Sequence, residues 1–478
     1  MWVEATENSP SIRSRGYNAM NQLVTIALAL LLTGAAENRP PLVDAAKAGD
    51  KDAMVRLLAQ KGVNVNVTEG DGTTALHWAS YHDDLESANQ LIRAGANVNA
   101  ANDLGATPLW AASQNGSESM VRRLLEAGAN PNLALLAGET PVMVASRAGS
   151  PGVVELLIAK GANVNAHGSR GQTALMWAVS EKHPEVVKVL LAHGADLRAK
   201  SAVWSQVMAV EPHGYLPYNK EIPAGGETAL MFAARVGDLA SAKILVAAGA
   251  NVNDTDAWGV SATTLAAHSD FRDVAEFLLD KGADPNAAAA GFNALHNAIM
   301  QRDEMLVASL LAHGADPNAI LRTWTPNRRS ASDFSFGPEL VGATPFWLAA
   351  RFTEPGIMKL LLQHKADPLV VHKVEHTVQD RAKGYIGKTE ETTALMAAVG
   401  LGGGDAWIPV PASEREARTL AAVKMTVELG VNVNAKNTDG RTALDGAKTL
   451  RIDSVTKFLT DNGAKAGTGG GRGQAPNP

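Results

Sequence analysis

Gly161-Ala162-Asn163-Val164-Asn165-Ala166-His167-Gly168-Ser169-Arg170-Gly171-Gln172-Thr173-Ala174-Leu175-Met176 carries a short box at each end, and both boxes recur along the chain. The threonine box has counterparts at Thr74-Ala75-Leu76-His77, Thr107-Pro108-Leu109-Trp110 and Thr140-Pro141-Val142-Met143, with leading threonines 33 residues apart. It returns at Thr228, Ser261, Asn293, Thr344, Thr393 and Thr442, the last steps being longer by an insertion each. The glycine box reappears from Gly95, Gly128 and Gly249, and as Gly-Ala-Asp-Pro-Asn from Gly282 and Gly314. Between boxes run apolar segments such as Val153-Val154-Glu155-Leu156-Leu157-Ile158-Ala159.

Each residue type has a mechanical use. The Thr hydroxyl caps a helix N-terminus, and Pro or Ala suits the first turn, where an N–H has no partner anyway. Small alanines after the box Leu, as at Ala111-Ala112 and Ala233-Ala234, let inner helices approach. Leucine pairs such as Leu124-Leu125 and Leu190-Leu191 bury one face of an outer helix, and the Gly of the second box ends it in a left-handed conformation. No such unit buries its apolar face alone, so stacking must supply the core. The period and both boxes resemble the ankyrin repeat from about Pro40 to Ala464, which implies an all-α repeat solenoid of about eleven units with finger hairpins. The first unit, Pro41 to Asn66, and the last, Asp439 to Ala464, read as caps.

The array departs from its own pattern in four places. Insertions at about 201–224, 320–340 and 371–390 enter the turn that the resemblance identifies as the finger, so they are expected to project from one face. A fourth, at about 401–416, separates the inner and outer helix of its repeat and is expected at the opposite edge. For a chain with 5% aromatic residues these segments are rich in rings: Trp204, Tyr215 and Tyr218; Trp324, Phe334 and Phe336; Tyr385; and Trp407. Long ringed loops suggest a binding lip.

The resemblance also implies a partner-facing surface on the inner helices, just after the paired alanines. Here those positions hold Tyr81 and His82, Gln114 and Asn115, Arg147, Ser180 and Glu181, Arg235, His268, Met300, and Arg351 with Phe352; the fingers add Leu104, Arg170 and Trp258. Arg and aromatic side chains dominate interface hot spots. Trp78 and Trp177 lie earlier on their helices and are expected in the core.

Composition narrows the function. A net charge of −6 gives no basic field for nucleic acid, and the lack of cysteine removes disulfides, thiolate nucleophiles and Cys-based zinc sites. Leu23 to Leu32 is an apolar run of about ten residues followed by Thr33-Gly34-Ala35-Ala36, the outline of an export leader over 1–36 cleaved after Ala35 or Ala36. It is too short for a membrane-spanning helix, so a periplasmic or secreted protein without a stable anchor is expected, or a cytoplasmic one if the leader is not a signal peptide, with residues 37–466 as the repeat domain. The tail 467–478, GTGGGRGQAPNP, has no apolar periodicity and is expected to be disordered.

Little points to catalysis. His372-Lys373-Val374-Glu375-His376 fits a zinc-peptidase pattern, in which a helix would place both histidines on one face, but no catalytic domain surrounds it. His77 and His296 follow the box Leu, where the resemblance implies a turn-bracing role. Gly402-Gly403-Gly404 has no following Lys-Ser/Thr pair and is not a phosphate loop. The expected function is a scaffold for a protein partner, not an enzyme, needing no cofactor or metal; a metal-dependent hydrolase and an immunity or shielding protein are the alternatives.

Overall fold

The computed structural model describes residues 40–208, 216–325, 336–380, 382–403 and 412–468, without the side chains of Tyr218 and Ala412. The proposed leader, Tyr215, Phe334, Trp407 and most of the tail lie outside the described residues. Two compact units divide at Pro108 and Leu109.

The described helices form pairs, the inner member of each after the first starting at a threonine box or its Ser or Asn counterpart. They are α1 Pro41–Ala48 with α2 Lys51–Leu58; α3 Ala75–Tyr81 with α4 Leu85–Arg93; α5 Pro108–Gln114 with α6 Glu118–Glu126; and α7 Pro141–Arg147 with α8 Pro151–Ala159. Next come α9 Ala174–Ser180 with α10 Pro184–Ala192; α11 Ala229–Val236 with α12 Leu239–Ala247; α13 Ala262–His268 with α14 Arg272–Asp280; and α15 Ala294–Met300 with α16 Glu304–Ala312. The last are α17 Pro345–Arg351 with α18 Pro355–Gln363; α19 Ala394–Ala398 with α20 Ala412–Glu428; and α21 Ala443–Thr449 with α22 Asp453–Asp461. Helices this short are marginal alone. Stacking rescues them: in the first unit α1 packs on α3 and α2 on α4, and in the second each inner helix from α7 onward packs on the next inner helix, each outer on the next outer. Box residues such as Leu76, Leu175 and Leu295 are fully buried between layers.

The caps follow the sequence at most of the boxes. Thr74, Thr173, Ser261, Asn293, Thr344 and Thr393 each accept the N–H three residues on. Thr140 and Thr228 do not, and their buried hydroxyls find no partner. The box glycines Gly95, Gly161, Gly249 and Gly282 all have positive φ; at the equivalent turn after α18 the residue is Lys365, held at φ 70°.

The closing Asn of the glycine box has a use that composition does not show. Its carboxamide donates to a carbonyl and accepts an N–H in the next repeat's matching turn, as Asn286 does with Gly314 O (2.9 Å) and Asp316 N (2.7 Å). The same pair of bonds is made by Asn66, Asn132, Asn165, Asn253, Asn318 and Asn434. Where Arg198 and Leu369 take this place, no carboxamide exists to make the rung.

Fingers are joined by backbone bonds such as Ser169 N to Ala137 O, Ala202 N to Arg170 O and Ala257 N to Gly225 O. The first insertion lengthens one finger into an antiparallel hairpin, β1 Val203–Met208 with β2 Lys220–Gly225, Val203 opposite Gly225. The third makes β3 His372–Asp380 with β4 Gly384–Thr392, His372 opposite Thr392. In the second, Leu321 N bonds Ala343 O and Thr325 N bonds Phe336 O. Of the fourth, Leu401 to Gly403 and residues 412–416 are described, and its expected place at the opposite edge rests on residues outside them. Leu401 to Gly403 crosses the inner-helix face, so close that a Cβ on Gly403 would meet Trp347 at 2.6 Å, while Arg418 on α20 reaches Glu354 between α17 and α18. Its first residues follow the inner helix inward because Gly400, Gly402 and Gly403 all adopt positive φ, which glycine permits.

Candidate partner-binding face

In the first unit, α3 is fixed from its start. Thr74 donates its N–H to His77 Nδ1 (3.1 Å), and His77 Nε2 donates to Ala106 O (2.9 Å). Burial outweighs these contacts and holds the His77 pKa below its ordinary value. One turn on, Trp78, Tyr81 and His82 form a ring cluster: Tyr81 meets Trp78 edge-on at 5.8 Å, and His82 stacks on Trp78 at 6.0 Å. Trp78 is half-buried, against the expectation of a core position, because it is the roof of this cluster and no helix covers it entirely. Lys47 sits on it, its ammonium 4.6 Å from the ring centre and 3.3 Å from Glu69. Tyr81 is 42% exposed, and Leu104 is exposed on its finger.

In the second unit the same positions carry ion pairs. Arg147 binds Glu139 and lies 5.3 Å over Trp177, itself half-buried rather than core for the same reason as Trp78. Arg235 binds Glu227. Burial raises Glu139 above the usual carboxylate range, and Arg147 only partly offsets it; Asp256, near Arg235, is raised likewise. Gln114 and Asn115 are exposed, and Glu181, Ser180 and His268 are half-buried. His268 accepts a bond from Gln301 at its carbonyl (2.7 Å). Arg170 is exposed, its guanidinium 5.5 Å over Trp204, which is exposed on β1. Trp258 is half-buried, edge-on to Phe292 at 5.4 Å.

Five expected contact residues face inward instead. Met300 (3% exposed) lies in the core between repeats, since its helix is covered on that side. Arg351 and Phe352 are buried, Arg351 beneath the start of the fourth insertion, its Nε donating to Gly402 O at 2.8 Å. Trp324 and Phe336 fold back onto the fingers: Phe336 packs near Phe292 and His296, each at 6.3 Å, and Lys220 lies over Trp324. Aromatic residues in an insertion cost less when they cover neighbouring apolar surface than when they face water.

The His-x-x-Glu-His stretch is a strand, not a helix. Alternation turns Glu375 to the face opposite His372 and His376, so the three cannot converge on one ion. His372 is buried against Trp347 at 4.2 Å with Nε2 donating to Val341 O (3.0 Å), and burial lowers its pKa. His376 Nε2 is instead 3.8 Å from Glu390. Burial alone would raise Glu390, but His376 and Lys388 outweigh it and bring its pKa to about 2. Among the described residues no group of three His, Cys, Asp or Glu side chains is placed to hold a metal, and no helix is long and apolar enough to cross a membrane.

Sequence reasoning missed the cation-on-ring pairs. The signal was present: Lys47 and Arg147 occupy the same repeat position, and Trp78 and Trp177 both sit four residues into the next threonine box.

Family models match the repeats of this chain. The family model "Ankyrin repeats (3 copies)" matches residues 17–102, 42–135, 109–201, 213–289 and 230–320, and "Ankyrin repeat" matches 341–373. An ankyrin repeat-containing protein of Treponema pallidum (strain Nichols) is 40% identical over 96 residues, 20% of this chain and 32% of that protein; the chain thus spans a third of that curated relative. The crystal structure of the human ASB11 ankyrin repeat domain aligns with a TM-score of 0.43 and 30% identity, covering 52% of this chain and 100% of that one.

Proposed function

The chain belongs to the ankyrin-repeat family, and from that premise we propose that it is a scaffold that holds a protein partner against its inner-helix face and lengthened fingers. Ankyrin repeats are in general protein–protein interaction modules. The observation that carries the reading is the pair Arg147 and Arg235, each clamped by a mostly buried carboxylate, the first beside Trp177. A guanidinium already fixed in place loses little side-chain freedom on binding, and Arg and Trp are the side chains that dominate hot spots. The reading also puts this binding outside the cytoplasm, on the strength of the Leu23–Leu32 run.

Capture from an extract of the source cells tests it, using the full chain and a variant with both ion pairs removed together, R147A/E139A/R235A/E227A. Loss of a specific partner by the folded variant is the expected result. A partner held equally by both would move binding off this face, and a chain that retains nothing would sink the scaffold reading. Cell fractionation checks the compartment.

A further inference from the structure

We propose that the inner-helix face of the first unit docks a basic segment of the protein partner, a lysine or arginine side chain taking the place on Trp78 that Lys47 now holds. The inference rests on the scaffold reading and names the partner's chemistry at this site. Its first support is the ring cluster itself. Trp78, Tyr81 and His82 come from one short helix and its following residue, with Tyr81 to His82 at 5.3 Å, so the aromatic surface is contiguous. The face of an aromatic ring is negative and attracts a cation within about 6 Å.

The second support is that a cation is already seated there. The Lys47 ammonium is 4.6 Å from the Trp78 centre and is backed by Glu69. Its stem is mostly shielded, and its carbonyl accepts a bond from His82 Nε2 (3.0 Å), tying the tether to the cluster it occupies. The second unit repeats this cation, Trp and carboxylate as Arg147, Trp177 and Glu139. There, however, Ser180 and Glu181 stand where Tyr81 and His82 stand in the first unit, so the pair has no aromatic walls.

Charge gives the third support. Between residues 40 and 108 nine Asp and Glu face five Lys and Arg, so this stretch holds −4 of the chain's −6. Asp44 lies one turn before Lys47 on α1, and Asp83 directly follows His82; both are exposed. A field of this sign draws in a basic segment and repels an acidic one.

Nine tryptophans make fluorescence ambiguous. The Trp78 indole resonance of the full chain, assigned with W78F, is therefore followed during titration with the blocked pentapeptides Gly-Lys-Gly-Lys-Gly, Gly-Arg-Gly-Arg-Gly and Gly-Glu-Gly-Glu-Gly. Both basic peptides are expected to shift it saturably and the acidic one not. K47M, with K47M/E69Q as the form that leaves no buried carboxylate unpaired, removes the tethered competitor and is expected to tighten binding about threefold to tenfold; Y81A weakens it by a similar factor. The inference fails if the acidic peptide acts like the basic ones, or if neither the natural chain nor K47M/E69Q responds to either basic peptide. A partner captured through the second unit while Trp78 stays silent would remove this inference and leave the scaffold reading standing.

Discussion

Acid should weaken the second unit through one histidine. His296 is 1% exposed; its Nδ1 accepts the Asn293 N–H (3.2 Å) and its Nε2 donates to Ala319 O (3.0 Å). That pattern needs the neutral ring, because a proton on Nδ1 would face a backbone donor. Burial, only partly opposed by the Ala319 bond, brings its pKa from 6.5 to about 4. In the unfolded chain the ring takes its proton near pH 6.5, so between about 6.5 and 4 the unfolded state binds more protons and stability rises with pH. The stabilisation is fully present above pH 6.5 and lost as pH falls toward about 4; a gap of this size is worth about 3 kcal/mol. The assay is the His296 Cε1–H resonance through a pH titration, with urea melts of the natural chain and H296Q at pH 7.5 and 4.5. The ring should stay unprotonated to below pH 5, and the natural chain should lose about 2 to 3 kcal/mol more than H296Q over that interval. A midpoint near 6.5, or equal acid loss in both proteins, would refute the reasoning.

Three further outcomes follow from the geometry. Lys365→Gly should stabilise the second unit by about 1 kcal/mol in denaturant melts, because a side chain at φ 70° pays a steric cost that glycine does not. Asn286→Ala removes a rung of two exposed hydrogen bonds and should cost about 1 to 2 kcal/mol, with faster hydrogen exchange at the Asp316 amide. Glu354, raised by burial although Arg302 and Arg418 both bind it, joins three repeats; Glu354→Gln should cost about 3 kcal/mol and speed exchange in the first turns of α20.

The fold was legible because every unit repeats the same mechanical solution. Threonine, paired alanines and the glycine box mark helix starts, close contacts and stops independently of anything distant. The proposed binding face was legible only in part. Arg147 and Arg235 stand at the inner-helix positions that the resemblance implies, but their carboxylate and ring partners come from the preceding finger or the next repeat, which no local pattern announces. Arg351 occupies the same register, yet a glycine-rich insertion some 50 residues later lies over it. Burial by a distant loop leaves no trace in the helix it covers. The strand at His372 was hidden for a related reason: spacing of four suits a helix or one side of a strand equally.

The missing rungs at Arg198 and Leu369 divide the second unit's turns into stitched runs. Across the first gap Lys200 Nζ reaches Thr255 O at 3.2 Å and Ala257 N bonds Gly225 O, and across the second Thr438 Oγ1 reaches Thr389 O at 2.8 Å and Lys388 lies 3.6 Å from Asp439, finger contacts that stand in for the absent carboxamide rung. Pulled from its ends, such an array should not unzip evenly: it should part first at these two joints, giving way in a few discrete steps whose lengths report the blocks between them. Two of the long hairpins spring from those same joints, so whatever grips them gains leverage on the places where the array yields most easily.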